Sequence, residues 1–371
     1  MKVLHLSKYY KPFSGGLEQV VADICEGLVE KGISTDVLCV NHLKEKFKTY
    51  SYNSVNVSSC PSNFHNNSAD FSLSYINKCR HMIKDFDVIH VHLPNPLANI
   101  ALMASNLHAK KIVVHWHSDI IKQKKLKYFY QPFQNWLLRR ADKIITTSLV
   151  YGQQSKDLTD FQEKVVVIPI GIKDGFLKSD PAVVNKIKND YSDKKIVFSL
   201  GRLVYYKGFE YLIEAANFLP SNTVIVIGGT GPDKAKLEKV IELNNLSEKV
   251  KLLGFVKDED LPSWYEACDV FCLPSIEKSE AFGVVQLEAF SLNTPVVSCD
   301  IPGSGVGWVN RHGVSGLVVK PRSPEELAEA INAITSNSVV FGTIKDYFEN
   351  NFDSKIMVEK TYDLYKSFFL K

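Results

Sequence analysis

Two glutamates eight residues apart, Glu280 and Glu288, and two cations five apart, Arg202 and Lys207, are the side chains of this chain whose types and spacing suggest chemistry. Ionised carboxylates accept hydrogen bonds from hydroxyl groups, and a guanidinium fork beside an ammonium can neutralise a diphosphate. The glutamates stand in Ser279-Glu280-Ala281-Phe282-Gly283-Val284-Val285-Gln286-Leu287-Glu288, between the short apolar run Asp269–Leu273, which reads as a buried strand, and a helical pattern. Such a strand-to-helix crossing leaves the N–H groups of Phe282, Gly283 and Val284 at the carboxyl edge of a sheet, where an anion is favoured. Gly283 would let that anion come close. In a wholly helical segment the two carboxylates would lie about 12 Å apart, at roughly 1.5 Å per residue, near the span from the sugar to the ribose of a sugar nucleotide. The expected division is then Glu280 for sugar hydroxyls, the helix start with Arg202 and Lys207 for the diphosphate, and Glu288 for the ribose diol. The same spacing also fits a helix start with one acidic cap and one solvated glutamate.

Arg202 and Lys207 belong to Gly201-Arg202-Leu203-Val204-Tyr205-Tyr206-Lys207-Gly208, directly after the strand pattern Lys195–Leu200. The Walker arrangement of glycines with Lys-Ser/Thr is absent. Gly228-Gly229-Thr230-Gly231-Pro232 resembles a nucleotide loop but is adequately explained as a tight strand-to-helix turn, and Phe255 and Val256, at the end of Lys251–Val256, can offer backbone groups to a base. Asp258-Glu259-Asp260 mimics an acidic metal motif, but it precedes the amphipathic run Leu261–Ala267 and reads as helix capping. No metal and no cofactor are therefore expected. In the first half, His117 follows the strand pattern Lys111–His115, placed either to donate to a substrate hydroxyl or to satisfy local backbone. Asp119 reads as a cap for the next helix. Gly15-Gly16 follows the strand Lys2–Leu6 and can bring amides against a phosphate or sugar, or simply turn the chain. Neither half carries G-x-G-x-x-G with an acidic ribose partner, so a nicotinamide oxidoreductase is poorly supported.

The elements that must position these groups repeat as strand and helix. Strands are expected at Asp36–Val40, Asp87–Val91, Lys111–His115, Lys143–Thr147 and Val165–Ile168, and a helix over Leu17–Lys31, which means a doubly wound parallel sheet. Residues 41–70, rich in Asn and Ser, read as irregular with an edge strand and a loop. At 371 residues two domains are expected, with a linker from Gly171 to about Asp193. The second half repeats the alternation. Residues 353–369 form an amphipathic helix in need of a partner surface.

Residues 1–172 hold 21 Lys and Arg against 14 Asp and Glu, a balance of +7, and the remainder holds 23 against 27, a balance of −4. A basic first half suggests an anionic surface or acceptor there. Its lysine run, Lys122-Gln123-Lys124-Lys125-Leu126-Lys127-Tyr128-Phe129-Tyr130, suits anionic lipid headgroups or, alternatively, a solvated helix face. No apolar run reaches membrane-spanning length and no secretory leader pattern opens the chain, so a cytoplasmic protein, peripheral on the membrane, is expected. Seven scattered cysteines lack zinc-site spacing and read as small buried hydrophobes.

Gly15-Gly16-Leu17-Glu18, His117-Ser118-Asp119, Gly201-Arg202 with Lys207-Gly208, and Glu280-x7-Glu288 occur in an order and at separations that resemble glycosyltransferase family 4 over nearly the whole chain. The resemblance implies a retaining, metal-independent transferase of the α/β GT-B fold, with two Rossmann-like domains facing each other across a cleft. Residues 1–172 would be the acceptor side, with 353–371 packing back on it, and 173–352 the nucleotide-sugar side. It further implies Arg202 and Lys207 on the donor diphosphate, Glu288 on the ribose, Glu280 on the donor sugar and His117 near the reacting carbon. Within the family, Trp116–Lys124, Tyr130-Gln131-Pro132 and Tyr205–Gly208 are most similar to bacterial mannosyltransferases of O-antigen assembly. Mannose from GDP-mannose passed to a lipid-linked glycan is thus the leading expectation, with no nucleic-acid partner. Its alternatives are a UDP-hexose donor, a sugar-nucleotide epimerase and a non-catalytic nucleotide-sugar-binding protein. One departure is Ile301–Trp308, which has no acidic residue where members often place one.

Overall fold

The computed structural model describes residues 1–12, 15–41, 46–66, 69–120, 124–173, 175 and 178–370, with backbone alone at 64–66, 69 and 124–127. The chain divides into two compact units, Met1–Gly171 with Ser354–Lys371, and Ile172–Asp353. Both are α/β.

Unit 1 contains β1 (Lys2–Leu6), β2 (Ser34–Asn41), β3 (Lys48–Tyr52), β4 (Val55–Pro61), the ribbon β5 (Phe64–Asn66) and β6 (Ala69–Phe71), then β7 (Val88–Leu93), β8 (Lys111–Trp116), β9 (Lys143–Thr146) and β10 (Val165–Val167). The main sheet runs β10-β9-β8-β7-β1-β2-β4-β3 and is parallel except for β3 against β4. Strand order therefore reverses between β1 and β7, where ligands of such sheets bind. Within 41–70 the described residues are more regular than the composition suggests, and 42–45, 67 and 68 lie outside them. β4 pairs with β2 from Asp36↔Asn56 to Asn41↔Pro61 and buries Ser58 and Ser59. Backbone pairing supplies what the polar side chains do not.

The helix Gly16–Glu30 buries Val20, Val21, Ile24, Cys25 and Leu28. Against it lies the final helix, Ser354–Ser367, which buries Met357, Val358, Thr361, Leu364 and Tyr365. Gly27 makes that approach possible, because a β-carbon there would lie 2.4 Å from Val358 Cγ2. All seven cysteines are buried and free.

Unit 2 contains β11 (Lys195–Leu200), β12 (Thr223–Gly228), β13 (Val250–Gly254), β14 (Val270–Leu273), β15 (Val296–Cys299) and β16 (Gly316–Val319), ordered β13-β12-β11-β14-β15-β16 and all parallel. Its order reverses between β11 and β14. The stretch expected to be a linker carries a helix, Pro181–Asp190, capped by Asp180 and burying Val184 and Ile187; residues 174, 176 and 177 of that stretch lie outside the described residues.

Candidate active site

The loops leaving β11 and β14 hold the cations and Glu280, the helix that follows the second loop carries Glu288, and the reversal of strand order makes those two strands neighbours. Lys207 ends the short turn Tyr205–Lys207, and Gly208 follows with φ 68°. A β-carbon at Gly208 would stand 2.1 Å from Pro274 O, so the two loops pack backbone on backbone. Ile276 N donates to Tyr206 O at 2.9 Å across the same seam.

This seam brings Lys207 Nζ within 2.6 Å of Glu280 Oε2, both side chains nearly buried. Ser275 Oγ donates to the same oxygen at 3.1 Å. Burial opposes charge on Lys207, yet the adjacent Glu280 carboxylate outweighs it and holds the ammonium above the usual lysine range. Lys207 is therefore a charged ammonium at neutral pH. Lys207 also folds over Gly201, where a β-carbon would lie 3.2 Å from Lys207 Cε. Arg202 is exposed.

Glu288 lies on the helix Val285–Ser291 and accepts from Tyr265 Oη at 2.6 Å. Burial raises its carboxyl above the usual range, the Tyr265 hydrogen bond opposes that rise, and Asp258 adds to it. Tyr265 carried no signal in the sequence because it only meets Glu288 through the packing of two helices. Gly283 has φ 77°, and its missing β-carbon would meet Leu273 Cδ2 at 2.7 Å and Gln286 Nε2 at 2.8 Å. The turn itself already requires a glycine at this position. The ring of Phe282 is 3% exposed and packs edge-on against Phe352, which leaves its backbone as the part able to face a ligand. Val284 is half-buried, Phe255 is exposed and Val256 is half-buried. Asp260 holds the cap position before Leu261–Ala267, but its side chain makes no capping bond there. The loop without an acidic residue still docks here, since Gly305 N donates to Ala281 O at 2.8 Å and Ser304 Oγ donates to Glu280 O.

His117, Gly15 and Gly16 belong to unit 1 and the remaining candidates to unit 2. Gly15 is extended at the head of its helix, with the Glu18 carboxylate over it; Phe13 and Ser14 lie outside the described residues. Asp119 stands before residues 121–123, which lie outside the described residues, so its expected capping role falls there. It accepts from Trp116 Nε1 at 2.9 Å and Ser155 Oγ at 2.8 Å, which fixes the chain beyond His117.

Sequence reasoning singled out His117 alone, but it closes a group of five buried histidines with His5, His90, His92 and His115. The signal was present. His90-Val91-His92 and His115-Trp116-His117 each put two rings on one face of a strand. Burial lowers His5 and His117 to about 3, and burial followed by the neighbouring imidazoles holds His90, His92 and His115 well below the usual range. All five are neutral at pH 7. Ring nitrogens of His5, His90 and His92, and of His92, His115 and His117, gather within 4.8 Å. Nitrogen pairs at 3.0 Å with rings 19–22° from coplanar form hydrogen bonds to one another, whereas a shared metal needs lone pairs converging on a point about 2.0–2.1 Å from each.

Lys122 lies outside the described residues, as do the side chains of Lys124, Lys125 and Lys127. On the same helix, Lys124–Arg140, Tyr128 is 79% and Phe129 74% exposed. No helix among the described residues is long and apolar enough to cross a membrane.

Residues 14–175 match Glycosyltransferase Family 4, and residues 184–351 match Glycosyl transferases group 1. Over 366 residues the chain is 32% identical to O-antigen chain mannosyltransferase C of Escherichia coli, covering 98% of this chain and 97% of that one. It is 31% identical to D-rhamnosyltransferase WbpZ of Pseudomonas aeruginosa, over 89% and 86% of the two chains. Among solved structures, Anabaena Alr3699/HepE in complex with UDP superposes with a TM-score of 0.77 at 21% identity, covering 99% of this chain and all of the other.

Proposed function

This chain belongs to the family 4 glycosyltransferases, with their GT-B pair of Rossmann-like parallel-sheet units, and on that premise we propose that it moves mannose from GDP-mannose to a lipid-linked glycan in O-antigen assembly. The reaction is retaining and needs no metal. The observation that carries this reading is the Lys207–Glu280 pair at the strand reversal of unit 2, with Glu288 held by Tyr265 nearby. In it, Arg202 and Lys207 hold the diphosphate with the amides of Phe282, Gly283 and Val284, and Glu288 holds the ribose. Phe255 and Val256 border the base, Glu280 contacts the sugar, His117 stands near the reacting carbon, and Gly15-Gly16 completes the donor's surroundings. A UDP-hexose donor is the second reading, favoured by the HepE structure with UDP.

Incubating the protein with GDP-mannose, UDP-glucose or UDP-galactose and a lipid-linked acceptor extract, followed by mass spectrometry, tests both. A mass gain of one hexose from GDP-mannose, undiminished by EDTA, is expected. Gain from a UDP-sugar alone selects the second reading, and no nucleotide release from any donor removes the enzymatic one. The glutamates separate by binding. Glu288→Gln should weaken GDP binding at least tenfold, whereas Glu280→Gln, which frees a buried ammonium, should leave GDP affinity equal or tighter. Equal losses measured by calorimetry would reject this division.

The place of work is the inner face of the cytoplasmic membrane, where the lysine run and the exposed Tyr128 and Phe129 meet anionic lipid. Each near-surface lysine contributes on the order of 1 kcal/mol, screened by salt. Replacing Lys122, Lys124, Lys125 and Lys127 by Gln should abolish co-sedimentation with phosphatidylserine vesicles at low salt and spare transfer to a soluble acceptor. Unchanged sedimentation would make the run an ordinary solvated face.

A further inference from the structure

The five stacked imidazoles, His5, His90, His92, His115 and His117, form two hydrogen-bonded rows, one of which meets the final helix at Tyr365. In one, His5 Nδ1 lies 3.0 Å from His92 Nε2, and His92 Nδ1 lies 3.0 Å from His117 Nε2. In the other, Tyr365 Oη bonds His90 Nδ1, and His90 Nε2 lies 3.3 Å from His115 Nδ1. The rows stack face to face, His115 on His117 at 4.0 Å, His90 on His92 at 4.5 Å and His5 on His90 at 4.7 Å.

A neutral imidazole has one N–H and one lone pair. Where Nδ1 of one ring always faces Nε2 of the next, every ring in a row must carry the same tautomer, or two protons or two lone pairs would meet. Each row therefore has a direction. A neutral phenol is a better donor than acceptor; with Tyr365 as the donor to His90 Nδ1, His90 passes its Nε2–H to His115 and the protons of that row point toward β8. Aligned N–H dipoles polarise one another within a row, and rows side by side are stabilised when they run opposite ways. The first row then runs from His117 Nε2–H to His92 and from His92 Nε2–H to His5.

We infer that His5 and His92 are positioning residues that hold His117 in its Nε2–H tautomer, so that Nδ1 offers a lone pair to a hydroxyl of the transferred sugar. That Nδ1 is buried and bonds no other described residue. The sugar contact rests on the function proposed above; the tautomer assignment does not.

Long-range nitrogen–proton NMR on the full chain, with histidine labelled and no substrate added, reads the tautomers directly. An unprotonated Nδ1 and protonated Nε2 on His5, His92 and His117 are expected, and a protonated His117 Nδ1 overturns the assignment. His5→Phe removes the acceptor of the His92 proton. The row should then reverse, His117 should carry Nδ1–H, and kcat for sugar transfer should fall about tenfold or more, with GDP and UDP affinity unchanged. His5→Gln keeps an acceptor and should retain both the tautomer and most of kcat. A tautomer unmoved by His5→Phe, or lost equally in His5→Gln, defeats the positioning role, and a reversed tautomer with unchanged kcat defeats the hydroxyl contact. Should His5→Phe not fold, the parent spectrum decides the tautomer. If no donor is turned over, the functional reading fails while the spectrum still stands or falls by itself.

Discussion

Lys207→Met should lower sugar-transfer turnover at saturating donor by at least about a hundredfold, more than it weakens binding of the nucleoside diphosphate. Charge grows on the departing diphosphate in the transition state, and a preorganised cation in a water-poor site is worth roughly 3 kcal/mol or more there. Lys207 is such a cation, nearly buried and fixed 2.6 Å from Glu280. Its loss also strands Glu280 as a buried unpaired carboxylate, a penalty of about 3–5 kcal/mol for partly analogous pairs. A fall in turnover could thus reflect a damaged fold, and two companions separate the effects. Lys207→Met with Glu280→Gln should recover thermal stability without recovering turnover. Arg202→Ala, at an exposed position, should lose a comparable share of turnover with no change in melting temperature. Near-normal turnover in Lys207→Met at saturating donor would remove the diphosphate role.

Acid should unfold unit 1 steeply below about pH 6. Burial lowers the folded-state pKa of its five stacked histidines, two of them to about 3, against an ordinary value of 6.5. Between those limits the unfolded chain binds more protons, so the stability is complete above pH 6.5 and is lost as pH falls. Each ring removes up to about 1.4 kcal/mol per pH unit. Acting together they would consume a typical stability of about 5–15 kcal/mol within one to three units. Unit 2 is an internal control, because its one histidine is His312. Hydrogen exchange by mass spectrometry should show protection lost over β1, β7 and β8 between pH 7.5 and 5 while β11 and β12 keep theirs. Equal protection of both sheets across that range would mean that the stack is not neutral and buried.

Apolar runs and their alternation with helical patterns were enough to read two parallel sheets, because each strand is a local signal. β4 escaped that reading, since Asn56, Ser58 and Ser59 look like loop residues until β2 is known to lie beside them. The spacing of Glu280 and Glu288 marked the candidate site, yet their partners were invisible. Lys207 reaches Glu280 only because strand order reverses between β11 and β14, and no local pattern records that. The glycines tell the same story. Gly229 and Gly231 read as an ordinary turn, but β-carbons there would strike Gly201 O at 1.9 Å and Leu203 O at 2.2 Å, so they lock the cation loop in place. His90, His92, His115 and His117 showed their shared face in sequence. That the face belongs with His5 depends on β1 lying beside β7.

The final helix of unit 1 is encoded after all of unit 2. During synthesis at about 5–20 residues per second, the ribosome needs on the order of ten to forty seconds to translate Ile172–Asp353 before Ser354–Ser367 can follow. Throughout that interval the apolar stripe around Gly27 has no Val358 to cover it, and His90 has no Tyr365. Unit 2 holds all its own strands by then and can close first, although it begins second. The nascent chain is thus most exposed to aggregation and chaperone capture at its oldest segment, and a translational pause inside unit 2 would lengthen that exposure rather than shorten it.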